Sequence, residues 1–382
     1  MVKNHEAKKA HFPLIILLLV LIISTQPFYL WNVKIEYFVV STIFIYVLYD
    51  FACYQNPKRM LSFLLLSIFY LTATFHTYHV NIFASLLYFF LPLLFYFVRD
   101  EHWIYVYKKY LLFYTITLVP SLVVYFLVVW GGIDLPHTII PPLNEAKSYN
   151  YLAYPFLVVP DTLLSLRFMG YYDEAGVIGT ISGTLFLINK CDLKKWENWI
   201  LLISGIFSFS LFFYLLILVY VLLFGSLKTK LLSGTVFAVV VFYLIGTDNP
   251  LNNLIFERLN MDNSESLYRL TRTDMYFDDF YNRFINSDML WFGYGNTYTQ
   301  TVVNTSGASY KFLIVDFGII MFMVYIVALV IYYSSFKLKF KQILLLIFLM
   351  MANVYQRPFI FSLAYIFLLV SPPSILKAEE NI

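Results

Sequence analysis

The chain has 382 residues, of which 60% are hydrophobic, 20% aromatic and 13% charged, with a mean hydropathy of +0.73 and a net charge of +3. A soluble domain carries about 25% charged residues, so the composition excludes a water-soluble globular protein and leaves an integral membrane protein. The small net charge says little about partners, because the charges are unevenly placed.

In chain order, the first apolar run extends from Phe12 to Leu30, after Lys3, Lys8 and Lys9. It is too long for the apolar core of a signal peptide, and no small-residue cleavage site follows, so it is read as an uncleaved first helix. Further spans are expected at 35–52, 60–75, 80–98, 110–130, 175–189, 231–247 and 312–333, with the first at 13–31. Residues 198–225 form a single apolar run, about 42 Å long as one helix. Lys194 and Lys195 precede it, and Lys228 and Lys230 follow. Two basic ends on one side of the membrane require a hairpin, turning near Ser208-Phe209-Ser210. Residues 343–371 repeat this pattern, with Gln356-Arg357-Pro358 as the turn. The expected fold is therefore all-α and polytopic: about twelve transmembrane helices in a single transmembrane domain (1–382) of the cytoplasmic (inner) membrane, both termini cytoplasmic.

This topology places 17 of the 26 basic residues inside, 15 of them Lys and 2 Arg, as the positive-inside rule requires. The outer set is 3 Lys and 6 Arg. Two long outer loops result, 131–174 and 248–310, and the second holds Arg258, Arg269, Arg272 and Arg283. Topology needs only charge, which Lys supplies. Arg adds planar, bidentate recognition of phosphate or carboxylate. Outer acids pairing with these arginines is the plainer alternative, since 15 of the 23 acidic residues are also outside.

Residues 266–285 read as an amphipathic helix outside the membrane, with Leu270, Phe277, Phe280 and Phe284 on one side. Arg269, Arg272, Arg283 and Tyr276 share a stripe about 60° wide on a helical wheel. The apolar side is expected to face the helix bundle and the Arg stripe to line a cavity. An interfacial helix touching lipid phosphates would carry the same pattern. Trp291-Phe292-Gly293-Tyr294-Gly295-Asn296 follows. Its glycines allow a tight turn, and aromatics such as Tyr294 suit either stacking on sugar rings or a re-entry turn at the interface. At the outer mouth of span 175–189, the stretch Arg167 to Gly176 places an arginine beside Asp173 and Glu174. Arg167 could bind an anion and Glu174 accept a proton, or Arg167 could pair with Asp173 and anchor the helix. Asp316 is the main acid drawn into a span.

Other signals are weak. His76 and His79 have i, i+3 spacing without a third ligand. Cys53 and Cys191 fall near cytoplasmic helix ends, where a disulfide is not expected. Asp278 and Asp279 diverge by about 100° on a helix. There is no P-loop, dinucleotide fingerprint or G-x-S-x-G. No metal, cofactor or nucleic acid is expected.

The order of these features resembles the O-antigen polymerase and O-antigen ligase superfamily. Arg167 to Gly176 is similar to its R-x-x-G-x-x-x-E stretch, and Ser208 with Ser210 to its T-x-S turn. Gly293-x-Gly295, Tyr310 and Gly318 resemble its G-x-G, Y and E-x-G series, the likeness covering roughly 150–333. The resemblance implies an undecaprenyl-pyrophosphate-linked glycan as substrate, membrane lipid as surroundings and a chain-length regulator protein as partner. It implies pyrophosphate binding by Arg167, Arg269, Arg272 and Arg283. Ligases of this superfamily carry a histidine before the Tyr. Here Ser306 to Tyr310 has none, which favours a polymerase. Glu174 is then the first choice of base, followed by Asp173 and Asp316. The expected reaction is inverting and metal-independent. A ligase, or a lipid-linked oligosaccharide flippase, is the alternative.

Overall fold

The computed structural model describes residues 11–25, 27–30, 56–78, 82–142, 149–162, 166–235, 273, 275–303, 309–356 and 360–378. These are mostly helical, and three of the helices are long and apolar enough to cross a membrane: Pro57–Phe75, Asp100–Trp130 and Tyr310–Ser334. Shorter apolar helices accompany them. The expected spans at 35–52 and most of 231–247 lie outside the described residues.

Helix α1 (His11–Ser24) ends well before the apolar run does. Ser24 and Thr25 turn their hydroxyls back onto the carbonyls of Leu21 (2.8 Å) and Ile22 (2.6 Å), and Pro27 follows without an N–H. Helix α2 (Pro57–Phe75) starts at an Asn56 cap whose side chain accepts from the Lys58 and Arg59 amides, with Pro57 in the first turn. Helix α3 covers Ile82–Phe97.

Helix α4 runs Asp100–Tyr125 and continues as a π-turn to Trp130. The expected span 110–130 is thus the second part of a longer helix. Asp100 and Glu101 favour its N-terminus, and Trp103, Val106, Tyr107 and Tyr110 bury at helical spacing. Apolar composition alone did not mark that first stretch, because Lys108 and Lys109 interrupt it.

The all-α expectation needs one amendment. The 131–174 region carries a three-stranded antiparallel sheet of β1 (Thr138–Ile140), β2 (Tyr151–Tyr154) and β3 (Leu157–Pro160), in the order β1-β2-β3. Tyr154 pairs with Leu157 across Pro155-Phe156. Tyr and Val suit strands and Pro suits the turn, but the segments are too short to stand out from a loop.

Helix α5 (Ala175–Ile188) is buried along almost its whole length. Against it pack α6 (Trp196–Phe207) and α7 (Leu211–Phe224). The 198–225 run is therefore two helices separated at Ser208–Ser210. The Phe213 ring lies so close to Gly205 that a Cβ there would be 2.0 Å from it. Eight residues of continuous helix would separate the two by about 12 Å, so the chain folds back at the expected turn. Phe209 takes the left-handed backbone (φ 44°) that makes the reversal. Residues 227–235 are also helical.

Helix α8 (Met275–Phe284) covers only the second half of the helix expected at 266–285: Thr273 stands in a bend before it, and 266–272 lie outside the described residues. Helices α9 (Tyr310–Ser334), α10 (Phe340–Gln356) and α11 (Leu363–Ala378) complete the chain. The 343–371 run is thus also two packed helices, α10 and α11.

By contacts the chain divides into two compact units, one of 1–111 with 274–382, the other of 112–273. In the first, α2 packs on α3 and α9. Phe69 meets Phe317, Tyr325 and Phe361, and the Ser62 hydroxyl donates to the Ala328 carbonyl at 2.8 Å. Arg59, only 4% exposed, binds Asp100 at 2.5 Å and lies over the Phe336 ring. On the outside, Ile320, Met323 and Val327 of α9 and Leu61, Leu64 and Ile68 of α2 are exposed. Such helical rows of exposed apolar side chains suit hydrocarbon rather than water.

Candidate functional site

Two groupings gather the residues singled out in the sequence, one in each unit.

In unit 112–273, the stretch before α5 is pinned on every side. Tyr125 donates to the Leu166 carbonyl (2.5 Å), the Phe168 amide to Phe207 O (2.7 Å), the Val158 amide to Gly170 O (2.9 Å) and Tyr171 to Thr117 O (2.8 Å). Gly170 has φ +57°, and a Cβ there would press on Ile178 and Leu118 at 3.3–3.4 Å. Glycine is needed at this bend. Arg167 is half-buried and donates from Nε to the Ser208 carbonyl (3.1 Å) and from Nη2 to that of Phe209 (3.5 Å). Two motifs about forty residues apart thereby become one site. Gly179 of α5 completes it: a Cβ there would fall 2.4 Å from Ser210 Cβ, so only glycine lets α5 approach the turn.

Asp173 accepts from Tyr151, whose hydroxyl lies 2.6 Å from the Asp173 carbonyl and 3.2 Å from Oδ1. The Tyr151 phenol is pushed above its ordinary range by burial, then by the negative Asp173 carboxylate, so it stays a proton donor to that carboxylate. Glu174 occupies the N-cap position of α5, half-buried, without a side-chain cap bond. Sequence reasoning did not single out Tyr151. Its position in a strand gives no local sign that it reaches Asp173.

In unit 1–111 with 274–382, the loop Trp291–Asn296 locks into a break in α9. Gly318 interrupts that helix with φ 72° and ψ 167°. The break frees backbone groups that a continuous helix would pair. The loop takes them up: the Tyr294 and Gly295 amides donate to the carbonyls of Val315 and Asp316 (both 2.9 Å), and the Ile320 amide donates to Trp291 O (3.3 Å). The approach is backbone on backbone. A Cβ on Gly293 would lie 2.5 Å from Asp316 O, and one on Gly318 would lie 2.3 Å from Trp291 O. The other side of the loop is sewn to the end of α2: the Asn296 amide donates to His76 O (2.9 Å), the Tyr78 amide to Asn296 O (2.9 Å), and Asn296 Nδ2 to Ala73 O (3.2 Å).

Asp316 sits directly behind this lock, 7% exposed. Its carboxylate accepts from the Thr299 amide (3.0 Å) and hydroxyl (3.2 Å). Thr299 lies in the short helical turn Tyr298–Thr301 and was not legible as a partner in the sequence. Tyr294 stacks on Tyr298 at 4.5 Å, and Tyr78 meets Tyr298 edge-on at 5.4 Å.

Helix α8 buries Phe277 and Phe284 in a cluster with Val303, Ile314 and Val315, and Phe280 packs against it. Its apolar side therefore faces the bundle as expected. Tyr276 is 66% exposed, and Arg283 is exposed with Nε near Asp279 O (3.4 Å). Arg269 and Arg272, like Arg258, lie outside the described residues. Asp278 takes Lys311 as its ion-pair partner at 2.5 Å. His79 and Cys53 also lie outside the described residues, and His76 is exposed at the end of α2. Among the described residues no three His, Cys, Asp or Glu side chains gather as metal ligands.

No family model, no curated protein and no solved structure matches this chain.

Proposed function

We propose that this protein is a membrane glycosyltransferase that polymerises undecaprenyl-pyrophosphate-linked oligosaccharide repeat units on the extracytoplasmic face. What supports the reading is that stretches the resemblance points to meet in space. Arg167 bonds to the Ser208–Phe209 turn, and Gly293-x-Gly295 interlocks with Asp316-x-Gly318. Residues 21 to 42 apart in sequence meet in each case, in the order in which the resemblance places them.

The chemistry follows from the substrate. An outer site has no nucleotide supply, so the glycosyl donor arrives activated on a lipid. The acceptor sugar hydroxyl attacks the anomeric carbon. The new glycosidic bond forms as the bond to the pyrophosphate oxygen breaks, and the lipid pyrophosphate leaves with the electron pair, inverting the configuration. The hydroxyl proton passes to a carboxylate, Glu174 first, then Asp173 or Asp316. Arginine stabilises the charge growing on the pyrophosphate, the role assigned to Arg167, Arg269, Arg272 and Arg283. Tyr276 and Tyr294 would stack on sugar rings. The reading carries the topology of about twelve spans, both termini cytoplasmic, in the inner membrane, with a chain-length regulator as partner.

The test is the surface glycan of a host lacking this protein, resolved on a gel. A polymerase leaves single repeat units in place of a ladder. Unattached polymer held on the lipid carrier would instead mean a ligase. Absence of lipid-linked repeats from the outer face would mean a flippase. A normal ladder in the Arg272→Ala, Arg283→Ala double variant would sink the arginine assignment.

A further inference from the structure

The segment 285–292 belongs to a stretch that its polar sequence assigns to the outside of the membrane, yet the geometry of α9 puts its end at membrane depth. Helix α9 closes at Ser334, and Lys337, Lys339 and Lys341 follow, which fixes that end at a membrane surface. From Ser334 back to Ile320 is about 21 Å of helix, whereas the hydrocarbon core is about 30 Å thick. Ile320 therefore lies inside the core, and any tilt places it deeper. Trp291 is bonded to it through the Ile320 amide at 3.3 Å, so the loop backbone sits at that depth too.

Two further observations agree. Non-helical backbone at membrane depth must be satisfied by protein. Here the loop and the broken helix satisfy each other through the bonds of Tyr294, Gly295 and Ile320, with Gly293, Gly295 and Asn296 buried. The side chains before the lock are apolar and turned outward: Met289 is 46% exposed, Trp291 55% and Phe292 66%, continuing the exposed row Ile320, Met323 and Val327 of α9. Polar Asn286 and Asp288, also exposed, stand earlier in the segment, where headgroups would receive them.

We propose that residues 285–292 form a re-entrant wedge seated in the leaflet opposite Lys337–Lys341, with Trp291 and Phe292 contacting lipid. The bilayer is the occupant because the exposed apolar surface is continuous with that of a membrane-crossing helix. The wedge would hold the Gly293–Asn296 loop and Asp316 beside lipid headgroups, and it is independent of any catalytic assignment.

The test uses the full chain in nanodiscs of phosphatidylcholine and phosphatidylglycerol. A Phe292→Cys variant in a Cys53→Ser, Cys191→Ser background carries an environment-sensitive fluorophore. Spin-labelled phosphatidylcholine should quench it about twofold or more. Aqueous iodide should quench it several-fold less than a label at Asp134→Cys, whose native side chain is 91% exposed. Met289→Cys should give the same pattern. In the cysteine-intact chain, brominated lipid should quench less tryptophan emission once Trp291→Phe is introduced. Iodide quenching equal to the Asp134→Cys label would overturn the proposal by placing the segment in water. Quenching by neither agent would overturn it by showing that protein covers the patch.

Discussion

At the residue scale, Asp316 is the position where structure and chemistry can be separated. Its carboxylate caps Thr299 in a buried setting. Asp316→Ala leaves the Thr299 amide without that acceptor, and an unmade buried hydrogen bond costs about 1–3 kcal/mol, so a lower melting temperature in detergent is expected. Asp316→Asn keeps one acceptor oxygen for the Thr299 amide, and its NH2 can donate to the Thr299 hydroxyl, so it should melt closer to wild type than Asp316→Ala. If Asp316 accepts a proton during transfer, Asp316→Asn abolishes the glycan ladder despite its stability. A normal ladder leaves Asp316 as a brace and moves the proton to Glu174 or Asp173. Cys191 offers a second residue-level check. Burial pushes its thiol up to about 12. The reactive thiolate is therefore scarce below that pH, and at pH 8 the thiol is neutral. Maleimide should label a Cys53→Ser chain slowly at pH 8 in the folded state and quickly after denaturation. Fast labelling of the folded chain would contradict the burial.

At the scale of elements, the lock between the Trp291–Asn296 loop and α9 is a backbone device. Gly318, at φ 72° and ψ 167°, holds a conformation essentially confined to glycine, where another residue costs about 1–3 kcal/mol, and the added Cβ would also meet Trp291 O at 2.3 Å. Gly318→Ala and Gly293→Ala are each expected to lower thermal stability by more than that conformational cost. Gly132, with φ +64° and open space where its Cβ would go, serves as the control that carries strain without a clash. A second element-level joint ties α2 to the start of α4. Arg59→Ala takes the buried guanidinium from Asp100, which keeps Lys377 (3.7 Å) and the Ser374 hydroxyl (3.2 Å), so the expected loss is below the about 3–5 kcal/mol of a fully buried pair broken on one side. Replacing both by Arg59→Met with Asp100→Leu should recover much of the loss. If Arg59→Ala melts like wild type, the pair is idle.

For the whole molecule, the coarse membrane reading rests on composition and on exposed apolar helix faces. The finer topology is open to a direct measurement. Reporter fusions after Lys230 and Lys341 should read cytoplasmic, and one within 138–160 extracytoplasmic. A cytoplasmic signal from the sheet region would invert or break the proposed order of spans. The polymerase reading belongs to this scale as well, since its readout is the length of the surface glycan.

Much of the architecture was determined by local sequence. Apolar runs located α2, α3, α5 and α9 within a few residues, because spanning length and hydropathy are local quantities. The fold-back at Ser208–Ser210 was also legible, since basic residues at both ends of one run leave little choice. The apolar side of α8 could be read from the spacing of Phe277, Phe280 and Phe284. The early stop of α1, the first stretch of α4 and the small sheet were not legible. A hydroxyl turned onto a carbonyl, or a strand of three or four residues, leaves no periodic signal. Only the tertiary structure decided how the motifs combine. Arg167 finds the Ser208 and Phe209 carbonyls, Tyr151 finds Asp173, Thr299 finds Asp316, and Gly293 meets Gly318. These partners are 17 to 42 residues apart in sequence or meet through backbone atoms. A hydrogen bond to a carbonyl depends on where the chain brings that carbonyl, not on which side chain it bears.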